Sequence, residues 1–254
     1  MLAAERKNLI LEKLQDEKKV VVNELSVLFD VSEETIRRDL DKLDKEGLAI
    51  KGYGGAVLNE SNSVDMPFSI RKKRNMDGKR KIAAMIAGIV NDGDHVFIDP
   101  STTGVAIASA LKIKKRLTVI TNSIEVLTEL ADVSGWDIIS TGGTMRENYL
   151  ALVGARATDS VLSFNADKAI ISCKGLDMKK GLTDGNELFS QVKAAMLDSS
   201  KTHILAVDYT KFDQVAFSQI CDITRIDMVV TDEKPSDEWI AFFRESGIEL
   251  KYAE

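Results

Sequence analysis

From residue 94 onward, short apolar runs alternate with stretches of helical periodicity, and that alternation leaves few architectures open to the chain. The runs fall at 95–98, 117–120, 137–139, 169–172, 203–207 and 228–230, with one more at 248–250. Helical patterns at 105–111, 124–130, 186–197 and 236–246 separate most of them. Parallel strands cannot be joined by a tight turn and need a crossover, usually a helix. The spacing therefore predicts an α/β sheet with mainly parallel strands. Just ahead of it, Ile82, Met85, Ile86 and Ile89 recur at helical spacing and predict an amphipathic helix over 79–90. The sequence holds no internal repeat and no low-complexity segment.

Polar residues cluster where several of these runs end. Asp99-Pro100-Ser101-Thr102-Thr103-Gly104 follows the first run and opens a helix, and Thr121-Asn122-Ser123 does the same after the second. Thr141-Gly142-Gly143-Thr144 follows the third run, and Asp208-Tyr209-Thr210-Lys211 the fifth. In open parallel sheets, ligands bind beyond the carboxyl ends of the strands. Small hydroxyl and glycine residues at helix N-termini offer N–H groups and a positive dipole end to an anion. Lys211 adds a point charge. Ser and Thr are also ordinary N-caps, so one such loop means little. Several at equivalent ends of one sheet point to a phosphate-bearing ligand.

A different pattern governs the first sixty residues. Ser32 is a good N-cap, and Glu33 and Glu34 place negative charge at the positive end of the helix that follows. Thr35 stands where Glu or Gln would complete a capping box. Ile36, Leu40 and Leu43 form one narrow apolar stripe, with Arg38 and Lys45 opposite it and Thr35, Arg37 and Lys42 on its flanks. Residues 23–29 predict a shorter helix in which Leu25, Leu28 and Phe29 are apolar, followed by a tight turn at Asp30-Val31-Ser32. A longer helix over 4–14 carries Leu9, Ile10 and Leu14 on one face. After a helix stop at Glu46-Gly47, residues 48–57 read as two short strands around a glycine-rich turn, as a β-wing requires. A short helix that turns hydroxyl and guanidinium groups outward suits the DNA major groove. A three-helix bundle with a solvated charged face would show the same spacing.

Residues 58–74 are expected to link this first domain, 1–57, to a second over 75–254. Ser61, Asn62 and Ser63 make the segment polar, and it ends in the basic run Arg71-Lys72-Lys73-Arg74, which suits DNA phosphates or a solvated helix face. A chain of 254 residues is long enough for two modest domains, each with a core. Cys173 and Cys221 are far apart and lack zinc-ligand spacing, so they are expected to be free thiols in a reducing cytoplasm, with no metal. No apolar run is long enough to span a bilayer, and no signal-peptide pattern opens the chain. The first 74 residues carry 14 basic and 14 acidic side chains, so the net charge of −6 lies in the remainder. A non-specific nucleic-acid coat would be strongly basic. A neutral head on an acidic body suits a few placed contacts reinforced by dimerisation, and equally a protein that binds no DNA.

The identity of the residues adds to their spacing. Val-Ser-Glu-Glu-Thr-Ile-Arg-Arg-Asp-Leu over 31–40, Leu-Asp-Lys-Glu-Gly-Leu over 43–48 and Tyr-Gly-Gly-Ala over 53–56 closely resemble the winged helix-turn-helix of the DeoR family of bacterial transcriptional regulators, mostly repressors of sugar-catabolism operons. The resemblance implies that Ser32, Glu34, Thr35, Arg37, Arg38 and Lys42 lie at operator DNA, with Lys51 and Tyr53 on the wing. Asp-Pro-Ser-Thr-Thr-Gly, Ile-Thr-Asn-Ser, Thr-Gly-Gly, Lys-Gly-Leu-Asp with Gly-Leu-Thr after it, and Val-Asp-Tyr-Thr-Lys-Phe resemble the C-terminal sensor domain of the same family. That domain is similar in fold to ribose-5-phosphate isomerase and typically binds a phosphorylated sugar or related metabolite as effector. Carried over by motif position, the effector residues are Asp99, Ser101, Thr102, Thr103, Thr121, Asn122, Gly142, Gly143, Lys174, Asp208 and Lys211. Ser101 to Thr103 would cradle the phosphate. Asp99, Asp208 and Lys174 would face the sugar.

Two departures bear on ligand geometry. Many family members read Asp-Ser-Gly-Thr-Thr where this chain has Pro100, which removes a backbone N–H from the loop. Tyr209-Thr210 replaces the more usual His/Ser-Ser before Lys211.

Two functions fit: a metabolite-responsive transcription factor, expected as a homodimer or homotetramer, and an aldose–ketose phosphate isomerase with an added N-terminal module. Isomerisation needs a base to move a proton and stabilisation of the enediolate. The isomerase carries Gly-Ala-Asp-Glu-Val-Asp, whereas this chain reads Asn165-Ala166-Asp167-Lys168-Ala169-Ile170 before Lys174-Gly175. Asp167 remains, but the later acidic position is apolar. Binding without turnover and without a catalytic residue is the preferred reading. His95 and His203 are expected to be structural, and Trp136 and Trp239 to be packing residues.

Overall fold

The computed structural model describes residues 1–59, 66–146 and 149–253. Ser61, Asn62 and Ser63 of the expected linker lie outside them. The chain divides into two compact units, Met1–Ile70 and Arg71–Glu254.

In the first unit, α1 (Ala3–Glu17), β1 (Lys19–Val21), α2 (Val22–Phe29) and α3 (Glu33–Lys45) precede the two wing strands β2 (Ala49–Gly52) and β3 (Gly55–Leu58). The strands pair antiparallel in the order β1-β3-β2. Ile10, Leu11 and Leu14 of α1 meet Leu25, Ile36, Leu40 and Leu43 in one core. Two expected core residues fall outside it: Leu9 is 38% and Leu28 60% exposed. The buried stripe of α1 runs through Ile10, Leu11 and Leu14, and α2 buries Val22 and Leu25 with Phe29 partly covered. The wing turns at Gly54, whose φ of +81° suits glycine. Its carbonyl accepts from Val22 N at 2.8 Å and ties the turn to the start of α2.

The segment 58–74 is not wholly a linker. Leu58 closes β3 opposite Ala49, and Phe68–Lys73 forms a short helix, α4. Phe68 and Ile70 are buried there, which is reason enough for this part of a polar segment to order.

The second unit begins with α5 (Met76–Ile89), β4 (His95–Ile98), α6 (Thr102–Leu111), β5 (Thr118–Thr121), α7 (Ile124–Leu130) and β6 (Asp137–Ser140). A hairpin of β7 (Thr144–Arg146) and β8 (Ala151–Val153) leads to α8 (Ala155–Leu162) and β9 (Ala166–Ile171). β10 (Gly175–Asp177), β11 (Gly181–Asp184), α9 (Glu187–Asp198), β12 (Ser200–Ala206) and β13 (Ser218–Cys221) follow, then β14 (Met228–Thr231), α10 (Asp237–Glu245) and β15 (Glu249–Tyr252). Seven strands form one sheet in the order β15-β14-β12-β9-β4-β5-β6, every neighbouring pair parallel. These are the apolar runs of the sequence. The hairpin, α8 and a small antiparallel sheet of β10, β11 and β13 were not expected, because elements this short carry no readable period.

Phe97, Ala169, Ile171, Leu205 and Val229 form a core with Val192, Met196, Trp239 and Phe243. The alternate residues Val96, Ile98, Ile170, Ile204 and Val230 are buried too, so both sheet faces are covered, as parallel strands require. From β4 the chain proceeds outward through β5 and β6, whereas from β9 it proceeds the other way through β12, β14 and β15. The direction reverses between β4 and β9, and in open sheets of this kind ligands bind beyond the carboxyl ends of the strands at such a point. No helix among the described residues is long and apolar enough to cross a membrane.

Candidate functional site

The first unit presents α3 on a fixed base. Ser32 caps the helix, its Oγ accepting from Thr35 N at 3.2 Å and lying 2.9 Å from the Thr35 hydroxyl. On the inner face Asp39 is 2% exposed and accepts from Arg6 Nε of α1 at 2.6 Å. This buried pair locks α1 against α3. On the outer face Arg37 pairs with Glu33, and Arg38 with Glu34 at 3.2 Å, each one helical turn away. Exposed pairs of this kind contribute under about 1 kcal/mol and release readily to phosphate or a base edge. Lys42 is exposed in the last turns of the helix. Lys51 bonds Asp41, and its backbone N–H donates to Asp44 at 2.9 Å, which ties the wing to α3. Tyr53 stands fully exposed at the wing tip. The eight DNA-facing positions expected from sequence thus share the α3 surface and the adjoining wing.

The second unit places its polar residues at the carboxyl ends of β4, β5, β6, β9 and β12, on both sides of the reversal between β4 and β9. Asp99, 1% exposed, ends β4 and accepts from Ser101 N at 3.2 Å, Ser172 N at 3.0 Å and Lys193 Nζ at 3.0 Å. One carboxylate therefore spans both sides of the reversal point. Ser101 is the N-cap of α6, its Oγ accepting from Gly104 N at 2.8 Å. Thr102 and Thr103 follow in the first turn, both nearly buried, and no described group engages their hydroxyls or N–H groups. Gly104 has to be glycine: a Cβ would stand 2.6 Å from Asp99 O. Thr121 turns inward, donating to Ile98 O at 2.6 Å. Asn122 lies beside Asp99 at the end of β5 and is fully buried. Its Nδ2 donates to Leu152 O at 2.8 Å, while its Oδ1 has no partner.

Asp208 is also buried and accepts from Thr210 N at 3.0 Å and Lys211 Nζ at 3.4 Å. Burial raises its pKa, but Lys211 and Thr210 outweigh that and hold the carboxyl below the usual range. Lys211 also donates to the Thr210 hydroxyl at 2.7 Å. Gly142 and Gly143 are exposed after β6, both at positive φ. Lys174 follows β9, with its N–H bonded to Thr183 O at 2.9 Å.

Sequence reasoning missed Lys193, Asp184, Asp232 and Lys79. Lys193 is 6% exposed and donates to Asp184 at 2.6 Å and Ser172 O at 2.7 Å as well as to Asp99. Burial disfavours its charge, but Asp184 and Asp99 outweigh burial and hold the ammonium above the ordinary lysine range. The available signal was a lysine within the buried stripe of α9, among Phe189, Val192 and Met196. Asp232 and Lys79 carried no such signal.

Asp167 lies at the other end of the sheet. It sits near the start of β9, where His95 N donates at 3.0 Å and Lys201 at 2.9 Å, and these contacts hold its carboxyl far below the usual range. It faces none of those carboxyl ends and offers no base there. His203 is half-buried, within 2.6 Å of Arg225 O and 3.2 Å of Ser200 O, and Trp239 stacks edge-on with Phe212, as the structural reading of both expects. No group of three or more His, Cys, Asp or Glu among the described residues can hold a metal ion.

Comparison with known proteins bears on both units. The sequence model of the DeoR-like helix-turn-helix domain matches residues 6–62, and that of the DeoR C terminal sensor domain matches 74–233. These are DNA-binding and sensor domains, not catalytic ones. The HTH-type transcriptional regulator YulB of Bacillus subtilis is 38% identical over 232 residues, which is 91% of this chain and 90% of that protein. The HTH-type transcriptional regulator GolR of Listeria innocua is 34% identical over the full length of both chains. The glycerol-3-phosphate regulon repressor of Escherichia coli is 31% identical over 99% of each. Among solved structures, ribose 5-phosphate isomerase A from Methanocaldococcus jannaschii aligns with 54% of this chain and 55% of its own at TM-score 0.40 and 15% identity. The chain belongs to the DeoR family of bacterial transcriptional regulators.

Proposed function

We propose that the protein is a cytoplasmic repressor of a sugar-catabolism operon whose affinity for operator DNA is set by a phosphorylated sugar bound at the carboxyl strand ends around the β4/β9 reversal. The observation that carries the effector reading is the unengaged first turn of α6, Thr102 and Thr103, together with the unpartnered acceptor Asn122 Oδ1 at the end of the neighbouring strand β5. An open helix N-terminus with two free hydroxyls suits a phosphate. A buried acceptor without a donor is costly and suits a sugar hydroxyl or a water. The names of the relatives support the metabolite class, since one represses a glycerol-3-phosphate regulon and another is a putative aga operon repressor. No cofactor is required. Operator DNA meets the outer face of α3 and the wing. The protein acts as a homodimer or homotetramer, because one short helix in one groove gives too little affinity and paired heads supply the rest through effective concentration.

The test pairs calorimetry on a panel of sugar phosphates with mobility shifts on duplexes from upstream of the protein's own and neighbouring genes. A phosphorylated sugar is expected to bind and to change operator affinity about 5- to 150-fold, the range of ordinary allosteric couplings. The unphosphorylated sugar is expected to have little effect, because charge-assisted hydrogen bonds are the stronger ones. The double variant Thr102→Ala, Thr103→Ala should abolish the response and leave DNA binding in place. If no sugar phosphate binds, or the best binder leaves operator affinity unchanged, the effector reading fails.

A further inference from the structure

Asp232, 1% exposed, follows β14 and divides its two oxygens between distant parts of the second unit. Oδ1 accepts from Tyr209 N, in the loop of Asp208 and Lys211, at 2.8 Å, and at the longer distance of 3.4 Å from the Thr231 hydroxyl. Oδ2 accepts from Asn75 Nδ2, between α4 and α5, at 2.8 Å. Asn75 has φ +47° and caps α5, its Oδ1 accepting from Gly78 N at 3.2 Å. The fit is close, since a Cβ on Gly78 would stand 2.2 Å from Asp232 Oδ2. A second link runs in parallel. The Lys79 ammonium, 6% exposed, donates to the carbonyls of Arg71 and Arg74, and it lies within the field of Asp208 and Lys211. Residues 71–75 are where the chain enters this unit. Ile70 belongs to the core of the first unit, while Arg71 sits 4.5 Å above the Tyr149 ring and Lys72 is 2.8 Å from Glu125.

We propose that the Tyr209–Asp232–Asn75 bridge couples the 208–211 loop to the segment that carries the DNA-binding unit. The proposal rests on the reading of that loop as part of the effector site. A carboxylate this deeply buried must keep its donors. If Tyr209 N–H is drawn away, Asp232 Oδ1 loses its short donor and keeps the 3.4 Å contact with the Thr231 hydroxyl, so the carboxylate turns toward Asn75 and Gly78, which shifts the junction of α4 and α5. Coupling is reciprocal, so DNA bound at α3 must in turn be felt at Tyr209.

That reciprocity allows a test that needs no effector. Hydrogen exchange of the full chain is followed with and without the operator duplex found by mobility shift. In the wild type, DNA should change exchange at residues 209–211 by about fivefold or more, the lower end of ordinary couplings. Asn75→Gly keeps the positive φ and removes the side-chain bridge. Its operator affinity should persist while the response at 209–211 falls to within about twofold, well below that coupling range. Should Asn75→Gly fail to fold by circular dichroism, Asp232→Asn decides the matter. It retains an acceptor for Tyr209 but sets one amide donor against another at Asn75, so it should lose the same response. No exchange change at 209–211 in wild type, or an undiminished change in the variants, overturns the proposal. A failure of every sugar phosphate to bind would count against the effector reading alone, since this experiment uses DNA only.

Discussion

In the first unit the charges offered to a partner stand in solvent: the side chain of Arg38 is 72% exposed and that of its neighbour Glu34 63%. In the second unit the corresponding polar groups are inside, with Asp99 at 1% and Lys193 at 6%. Both units also bury charges that pair with one another, Arg6 with Asp39 in the first and Lys193 with both Asp99 and Asp184 in the second. A surface that must read a polyanion needs its cations wet and free to move. On the effector reading proposed above, polar groups that recognise a small ligand need to be held still and partly dehydrated, which makes each of them part of the stability of the fold. The head can thus lose a contact residue and stay folded, whereas the buried floor beneath these strand ends cannot.

The largest expected effect breaks the floor. Lys193→Met leaves two buried carboxylates without their counter-charge and should destabilise the second unit by about 3–5 kcal/mol, as removal of one partner of a buried pair does. Arg6→Met strands a single carboxylate, Asp39, and should cost the first unit less than that. Urea denaturation of both variants, followed by tryptophan fluorescence for the second unit and by circular dichroism for the whole chain, orders the two. Equal losses would contradict the contrast between the units.

Next come the surface arginines. Arg37→Ala and Arg38→Ala should each leave the urea midpoint unchanged, because the pairs they break are exposed. Loss of one bidentate base contact should weaken operator binding by about 1–3 kcal/mol and relax specificity at one position. If both folded variants bind the operator as wild type does, α3 is not the reading helix.

The smallest effect concerns pH. Burial lowers the Lys79 pKa to about 8, against the pull of Asp208 and with the help of Lys211, Arg71 and Arg74. The folded state therefore gives up this proton before the unfolded state, whose lysine titrates near 10.5. The cost of burying the ammonium is fully present below pH 8 and is relieved as pH rises from about 8 to 10.5, because the unfolded state holds more protons in that window. Measured as the difference between wild type and Lys79→Met, stability should rise in favour of wild type from pH 7 to pH 10. A flat difference would mean that the ammonium is not desolvated.

The sequence by itself determined the longer elements and the candidate residues at the strand ends. Period-3.6 patterns marked α3 and α9, apolar runs marked the seven parallel strands, and the loops after those runs named Asp99, Ser101 to Thr103, Asn122 and Lys211, because secondary structure and helix caps are local properties of a few consecutive residues. It could not show which way Leu28 turns, since a two-turn helix has room for more than one apolar stripe. Nor could it distinguish Asp99 as a ligand group from Asp99 as the anchor of a buried lysine, since Lys193 lies ninety-four residues away. Only the tertiary structure decided the strand order, and with it the reversal between β4 and β9 that brings the Asp99 loop against Ser172. The same order sent Asp167 to the opposite end of the sheet and joined Asn75 to Tyr209 through Asp232. Pairings of this kind depend on which distant surfaces bury one another, and a pattern of neighbours along the chain carries no record of that.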